Sequence, residues 1–232
     1  MNEPFAFLSG EHLWGLFACA AVVAALIVFR AALRRPVPNR IARYTLAAAL
    51  IGSELALYGS YTVRDAWGWY ALPFQLCTLM VWVSAYAVAA RSRRAYEVSF
   101  FLGILGAMQA LATPYLTVGF PDFRYFHFFL AHIAIIAASV FLTAVDGFRP
   151  TAKSVFKALL WLNAFAGAAG IVNAATGENF MFVARKPPTG SLLDVLAPWP
   201  WYLLQLEAIA FALCVGLLGV VRGIDRIAAH KK

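Results

Sequence analysis

Charged side chains are scarce in this sequence. Asp, Glu, Lys and Arg make up 13% of the 232 residues, and 62% of the residues are hydrophobic. A soluble domain carries about 25% charged residues. The composition therefore excludes an ordinary soluble protein and predicts an all-helical, polytopic membrane protein that forms a single transmembrane domain.

Cysteine is also rare, and the spacing of the three cysteines is uninformative. Cys19, Cys77 and Cys214 show no CxxC or Cys/His pattern, which argues against a disulfide framework, a zinc site or a redox motif. We expect no metal and no cofactor. No lysine lies deep in a hydrophobic stretch, so a retinal Schiff base is excluded as well.

The N-terminus lacks positive charge. Glu3 and Glu11 precede the first long hydrophobic stretch and arginines follow it, whereas a cleavable signal peptide begins with a basic segment. We therefore expect the first stretch to remain as a helix. Its nearly featureless sequence predicts a peripheral, lipid-facing helix in which Cys19 is a small packing residue.

Seven stretches are long enough to cross a bilayer, for which about 20 apolar residues are needed. They are His12 to Leu33, Ile41 to Tyr61, Leu72 to Ala90, Tyr96 to Ala112, His127 to Val145, Ser154 to Ala174 and Trp201 to Val221.

The net charge of +8 is a topology signal. Of the 19 Lys and Arg residues, 15 fall in the odd-numbered loops and the C-terminal tail, and four in the even-numbered loops. The positive-inside rule then predicts an outside N-terminus and an inside C-terminus. We expect the basic loops to contact anionic lipids at the cytoplasmic face, as in the segment RRPVPNR. No nucleic-acid partner is expected.

The third span opens with an unusual stretch, Leu72 to Thr78. Pro73 suits the first turn of a helix because its missing N–H would have no partner there. Gln75, Cys77 and Thr78 follow within two turns, and polar side chains in a span tend to face a bundle interior or a wet cavity. This entry is therefore expected to point inward.

Other polar residues fall at a similar depth, in the outer half of the predicted bundle, whereas Asn163 and Ser84 fall in the inner half. The outer residues are either unrelated interfacial groups or the lining of one pocket that is open to the outer leaflet. If there is no shared pocket, Glu54 is an interfacial acid paired with Arg64 or a tyrosine. His132 then forms a hydrogen bond between helices. The outer set is Glu54, Tyr58, Gln75, Cys77, Thr78, Gln109, His132, Asn173, Gln205 and Glu207.

A thiol and an imidazole in one pocket favour nucleophilic chemistry. Cysteine attacks as the thiolate and needs a base within hydrogen-bond reach, and a carboxylate such as Glu54 or Glu207 would orient that base. Gln75, Gln109 or Asn173 would then donate to an oxyanion. The longest loop, Ala175 to Pro200, has the length of a lid, with a short turn expected over Leu192 to Leu196.

The chain resembles the YwaF-like integral membrane proteins of bacteria. The motifs LPFQLC, GAMQALATP, YFHFFLAHIAII and WPWYLL carry the resemblance, which extends over nearly the whole chain and includes the seven-helix count. That family is similar to an animal membrane acyltransferase that remodels ether phospholipids, and more distantly to membrane hydrolases of fatty-acid esters.

The resemblance implies a multi-pass protein of the bacterial cytoplasmic membrane that acts on a phospholipid or lysophospholipid. It also implies Cys77 as nucleophile and His132 as general base. Many relatives carry histidine at the position of Gln75, so any catalytic use of that position is changed here.

Two other classes of function fit the same polar residues. A transporter or small-molecule binding protein would use the cluster as a solute site, and it would need access from the inner side through broken helices or an inverted repeat. The sequence shows no clear repeat between its halves. The third class is an assembly subunit with no site of its own.

Overall fold

A computed structural model describes residues 5–187 and 192–230, and within these ranges the chain is helical without strands. The long helices alternate with short turns of helix. The elements are α1 (Gly10–Val28), α2 (Arg30–Leu33), α3 (Pro36–Val63), a 3-10 turn (Trp69–Ala71), α4 (Leu76–Ala90), α5 (Arg93–Val98), a π-helical turn (Ser99–Gly103), α6 (Ile104–Ala112), α7 (Phe123–Ala144), α8 (Ala152–Thr176), two further 3-10 turns (Phe180–Phe182 and Leu192–Val195) and α9 (Trp201–His230).

Seven segments of the described chain are long and apolar enough to cross a membrane, so the all-helical class and the count of seven spans are confirmed. The protein is a multi-pass membrane protein. The segments are Gly10–Val28, Pro36–Val63, Trp69–Ala90, Arg93–Ala112, Phe123–Ala144, Ala152–Thr176 and Trp201–Ala229.

Two predicted boundaries need correction. The first long helix ends at Val28, because Phe29 leaves helical geometry, and Arg30–Leu33 forms a separate short helix. The third long helix begins only at Leu76. Pro73 therefore lies ahead of the helix and not in its first turn. The residue before a proline is driven out of the α region, and Leu72 accordingly has extended backbone geometry.

Local sequence explains where several helices begin. Pro36 opens α3 at its first helical position, where a missing N–H costs nothing. The Asp122 side chain accepts the N–H of Arg124 at the start of α7, and Thr151 and Ser154 form a reciprocal capping box ahead of α8. These caps supply partners for N–H groups that have none inside the helix.

Contacts divide the chain into two compact units, and the single transmembrane domain stays a prediction. Unit 1 comprises the residues up to Trp67 and Cys77–Phe148. Its central element is α7, which packs against α1, α3, α6 and the π-helical turn. Gly15 of α1 lets the ring of Phe129 approach closely, since a Cβ there would lie 2.0 Å from a ring carbon.

Unit 2 comprises Gly68–Leu76 and the chain from Arg149 onward, and α8 packs against α9 within it. Helix α8 ends at Gly177, whose φ of 77° suits glycine. The short turn expected over Leu192 to Leu196 is confirmed by the 3-10 turn Leu192–Val195. Pro188 to Ser191 of the predicted lid lie outside the described residues.

Candidate functional site

Three buried serine hydroxyls join three spans of unit 1. The Oγ of Ser99 lies 2.7 Å from the Oγ of Ser84 in α4 and 2.8 Å from the Oγ of Ser139 in α7. None of the three residues is more than 1% exposed. Paired hydroxyls in a buried site fix the register of the helices that carry them, because a slip would leave polar groups unsatisfied. We call this set the serine chain.

Cys77 and His132 have the same spacing from two members of the serine chain. Cys77 precedes Ser84 by seven residues, and His132 precedes Ser139 by seven residues. Seven residues are nearly two turns, so each residue shares a helix face with its serine and lies about 10 Å along the axis from it. The thiol and the imidazole thus have the same spacing from the serine chain along their own helices.

His132 is held in a defined orientation. Its Nδ1 lies 2.6 Å from the backbone carbonyl oxygen of Phe128. A carbonyl only accepts hydrogen bonds, so Nδ1 carries the proton and Nε2 of the neutral ring keeps its lone pair. A backbone carbonyl therefore fills the orienting role that we predicted for a carboxylate. The residue is 8% exposed, and its free nitrogen is the one that a general base requires.

Cys77 is a free, half-buried cysteine in the first turn of α4. The N–H groups of this turn have no acceptor inside the helix, and the positive end of the helix dipole favours negative charge. A thiolate or an oxyanion is stabilised in such a place. Among the described residues, no hydrogen bond joins the Cys77 sulfur to the His132 ring.

Glu54 is buried in α3 at 2% exposure, and its Oε1 has no hydrogen-bond partner among the described residues. Its carboxyl is hydrogen-bonded to the Tyr58 hydroxyl, one turn along the same helix, and is attracted by the positive charge of the Arg124 guanidinium. Arg124 also donates to the Tyr61 hydroxyl at 3.0 Å. The tyrosine partner agrees with the alternative in which Glu54 is an interfacial acid. The arginine near Glu54 is Arg124, whereas Arg64 was predicted.

A groove of about 260 Å³ lies between α3 and α7 in the same unit. Small residues of α3, including Gly52 and Ser53, form one wall, and His127 and Leu130 contribute to the other. The Nε2 of His127 is buried without a hydrogen-bond partner in the described chain. The groove is mostly apolar, and neither Cys77 nor His132 lines it.

The two other predicted residues of unit 1 make few contacts. The side-chain amide of Gln109 donates to the Thr113 hydroxyl at 2.8 Å, one turn further on. Its N–H is therefore engaged within its own helix. Thr78 is half-buried, next to Cys77 in the first turn of α4.

Three predicted residues of unit 2 hold loop backbone. Gln75 accepts the N–H of Met181, and Gln205 accepts the N–H of Ala197 at 2.7 Å. Asn173 makes two hydrogen bonds to Phe180, accepting its N–H and donating to its carbonyl. Asn173 is 4% exposed and both ends of its amide are occupied. That arrangement suits a structural clamp better than the oxyanion donor that we predicted.

Glu207 pairs with Asn163 in unit 2. The Asn163 amide donates to the Glu207 carboxylate at 2.9 Å, so the two side chains meet at one level. The assignment of Glu207 to the outer half and Asn163 to the inner half therefore does not hold for this pair. Helix α9 extends to His230, well beyond the predicted end of the last span.

Sequence reasoning missed His12, which forms hydrogen bonds through both ring nitrogens. His12 is fully buried, its Nε2 donates to the Leu111 carbonyl at 2.7 Å, and its Nδ1 accepts the N–H of Leu8 at 3.1 Å. It anchors the start of α1 to the end of α6. The sequence signal that could have drawn attention to His12 is its position three residues after Ser9, the serine that caps α1. Ser84 was noted only for its depth, and neither Ser99 nor Ser139 was considered.

Comparison with known proteins identifies one family. Residues 7–218 match the sequence model of the TMEM164 family, which extends over most of the chain. No curated protein and no solved structure matches the chain.

Proposed function

The chain belongs to the TMEM164 family, and from this premise and the site geometry we propose that it transfers or hydrolyses the acyl group of a membrane phospholipid. Cys77 is the nucleophile and His132 the general base. The proposal includes the finer points of the resemblance: a YwaF-like bacterial protein in the cytoplasmic membrane, with its N-terminus outside.

The observation that carries the proposal is the serine chain. It supports the proposal because Ser84 and Ser139, which follow Cys77 and His132 by seven residues each, are joined through Ser99. The hydrogen bond from His132 Nδ1 to Phe128 supports the base role, because it leaves Nε2 free. The position of Cys77 in the first turn of α4 supports the nucleophile role.

The chemistry follows in two balanced steps. His132 Nε2 takes the thiol proton of Cys77, and the sulfur attacks the carbonyl carbon of the ester. As the ester C–O bond breaks, the leaving alkoxide takes that proton from His132, and an acyl thioester remains on Cys77. Water or the hydroxyl of a lysolipid then gives its proton to Nε2 and attacks the thioester, which releases a fatty acid or a new phospholipid together with the thiol.

Backbone donors support the negative charge that forms on the ester oxygen. The N–H groups of the first turn of α4 have no intrahelical acceptor, and they belong to the residues next to the reacting sulfur. The donors that we predicted are less suitable, because the NH₂ groups of Gln109 and Asn173 each already donate one hydrogen bond elsewhere, which fixes their orientation.

Purified protein in phospholipid vesicles that carry a labelled sn-2 acyl chain tests the proposal. We expect acyl release or exchange with added lysolipid, and loss of at least a hundredfold of that rate in Cys77→Ala. The matched control is Cys214→Ala, which removes a buried thiol from unit 2. A Cys77→Ala variant with full activity would reject the chemistry.

One substitution of His132 separates catalysis from packing. Asn places its amide nitrogen where Nδ1 stands and keeps a donor for the Phe128 carbonyl, whereas it offers no base at the position of Nε2. We expect His132→Asn to retain the thermal stability of the protein and lose activity. Equal activity in His132→Asn and the unsubstituted protein would exclude the base role.

A further inference from the structure

A cavity of unit 1 lies far from Cys77, at the end of α4 where α3 begins and α7 finishes. It has a volume of about 530 Å³ and is open to the surface. Four arginines and one acid dominate its lining. They are Arg34, Arg40, Arg43, Arg91 and Asp146, and we call the cavity the arginine crevice.

The one acid of the crevice is already engaged. Asp146 accepts the amide N–H of Asn39 at 2.7 Å through one oxygen and the Nε–H of Arg91 at 3.1 Å through the other. Its side chain is 1% exposed. The carboxylate thus balances a single arginine, and the other three guanidinium charges have no carboxylate partner in the crevice.

Two of the arginines are fixed in place by backbone oxygens at helix ends. Arg34 donates to the carbonyls of Ala144 and Val145 at 3.0 Å each. Arg43 donates to the carbonyl of Ala89 at 2.9 Å and, more weakly, to that of Val88. Helix C-termini carry only about half a negative charge each, so the crevice stays cationic. Each guanidinium also has five N–H donors, and these bonds use only part of them.

Arg40 is the unengaged arginine. It is exposed on the first turns of α3 and has no partner within the described chain. Its planar fork matches two oxygens of a phosphate, which is why arginine is favoured where phosphate is recognised in a defined geometry. Anchored guanidinium groups beside it lose little freedom on binding, which is the condition for a preorganised anion site.

We propose that the arginine crevice binds a phosphate group, with the headgroup of an anionic phospholipid as its source. The positive-inside topology directs this end of unit 1 to the cytoplasmic leaflet, where anionic headgroups are concentrated. Arg40 makes the direct contact, and Arg34, Arg43 and Arg91 supply further donors and charge. The site is independent of the acyl chemistry, because its residues lie at the opposite end of α4 from Cys77.

The purified full-length protein in a neutral detergent provides the test. Dihexanoyl phosphatidic acid, dihexanoyl phosphatidylcholine and inorganic phosphate are titrated separately, and the midpoint of thermal unfolding is followed. A ligand that binds the folded state raises that midpoint with concentration. We expect phosphatidic acid to raise it and phosphatidylcholine to have no effect at the same concentration.

Matched arginine substitutions test the location. Arg40→Ala should weaken the apparent affinity for phosphatidic acid about tenfold, which is the effect of losing one charge-assisted hydrogen bond. Arg30→Ala removes the same charge from an exposed arginine outside the crevice and should change the affinity less than twofold. The unliganded midpoint of each variant reports whether the fold is retained.

The outcomes separate the sources. Protection by phosphatidic acid alone supports a lipid headgroup, and equal protection by inorganic phosphate, also weakened in Arg40→Ala, supports a free phosphate at the same site. Equal losses in Arg40→Ala and Arg30→Ala would overturn the proposal in favour of diffuse surface charge. Protection by phosphatidylcholine, or by none of the three compounds, would overturn it as well.

Discussion

The hydroxyl of Ser99 lies 2.8 Å from that of Ser139, and the same two spans also meet where the Tyr96 hydroxyl lies 2.9 Å from that of Thr143. Ser84 extends the contact to a third span. Gly103 keeps the crossing tight, since a Cβ at this position would lie 3.0 Å from the Ile135 side chain and 3.3 Å from the Ser99 hydroxyl. The serine chain and Gly103 together specify how these spans cross, and the proposed site depends on that crossing.

Ser99→Ala should destabilise the protein by about 1–3 kcal/mol, because it leaves the hydroxyls of Ser84 and Ser139 without their shared partner in a buried place. The midpoint of thermal unfolding in detergent measures the effect. If Cys77 and His132 form the site, acyl transfer should fall by more than the loss of folded protein explains.

Ser53→Ala is the control for the serine chain. Ser53 is also buried, but its hydroxyl donates to the Leu50 carbonyl of its own helix. Removing it leaves no unpaired side chain on another span, so we expect a change of only a few tenths of a kcal/mol. Similar losses in Ser53→Ala and Ser99→Ala would mean that the serine chain has no special role.

Gly15→Ala should loosen α1. The added Cβ would lie 2.0–2.6 Å from three ring carbons of Phe129, which is 5% exposed, and such overpacking costs about 1–3 kcal/mol. A second substitution, Phe129→Leu, should recover part of the loss in the double variant. Gly59→Ala is the matched control, because nothing lies within 4 Å of its Cβ position.

His12→Phe should destabilise the contact between α1 and α6 by about 2–4 kcal/mol, because it leaves the Leu111 carbonyl without its donor and the Leu8 N–H without its acceptor. His12→Gln keeps a donor near the position of Nε2 and should lose less. Thermal unfolding of both variants gives the comparison. Equal losses in the two would show that ring packing, and not hydrogen bonding, accounts for the role of His12.

The seven spans were predictable because apolar length and charge distribution act locally along the chain. The start of α4 was not, since Pro73 suits a first helical turn and equally drives Leu72 out of helical geometry. The division into two units also has no local signal. It depends on which helix faces meet, and the nearly uniform hydrophobicity of α1 and α8 does not specify a face.

The sequence points to candidate residues, which stay a prediction, and it does not reveal the hydrogen bonds that these residues make. Cys77 and His132 are conspicuous because polar side chains are rare in spans. The bond from His132 to Phe128 involves a backbone oxygen, and every residue carries one, so no sequence pattern reveals it. The serine chain joins Ser84, Ser99 and Ser139, three serines from separate spans, and a lone serine in a helix is too common to suggest a partner.

Asn173 tests whether a predicted oxyanion donor is in fact a clamp. Its amide accepts the Phe180 N–H at 2.7 Å and donates to the Phe180 carbonyl at 3.0 Å. Asn173→Ala should therefore free the backbone that follows α8, and limited proteolysis should cut near Phe180 several times faster. Asn173→Asp keeps the acceptor and should give an intermediate rate. Asn163→Ala, which removes an exposed amide from the same helix, should leave that cleavage unchanged, because its partner is Glu207. If cleavage near Phe180 is unaltered in Asn173→Ala while acyl transfer disappears, Asn173 acts in the chemistry and not as a clamp.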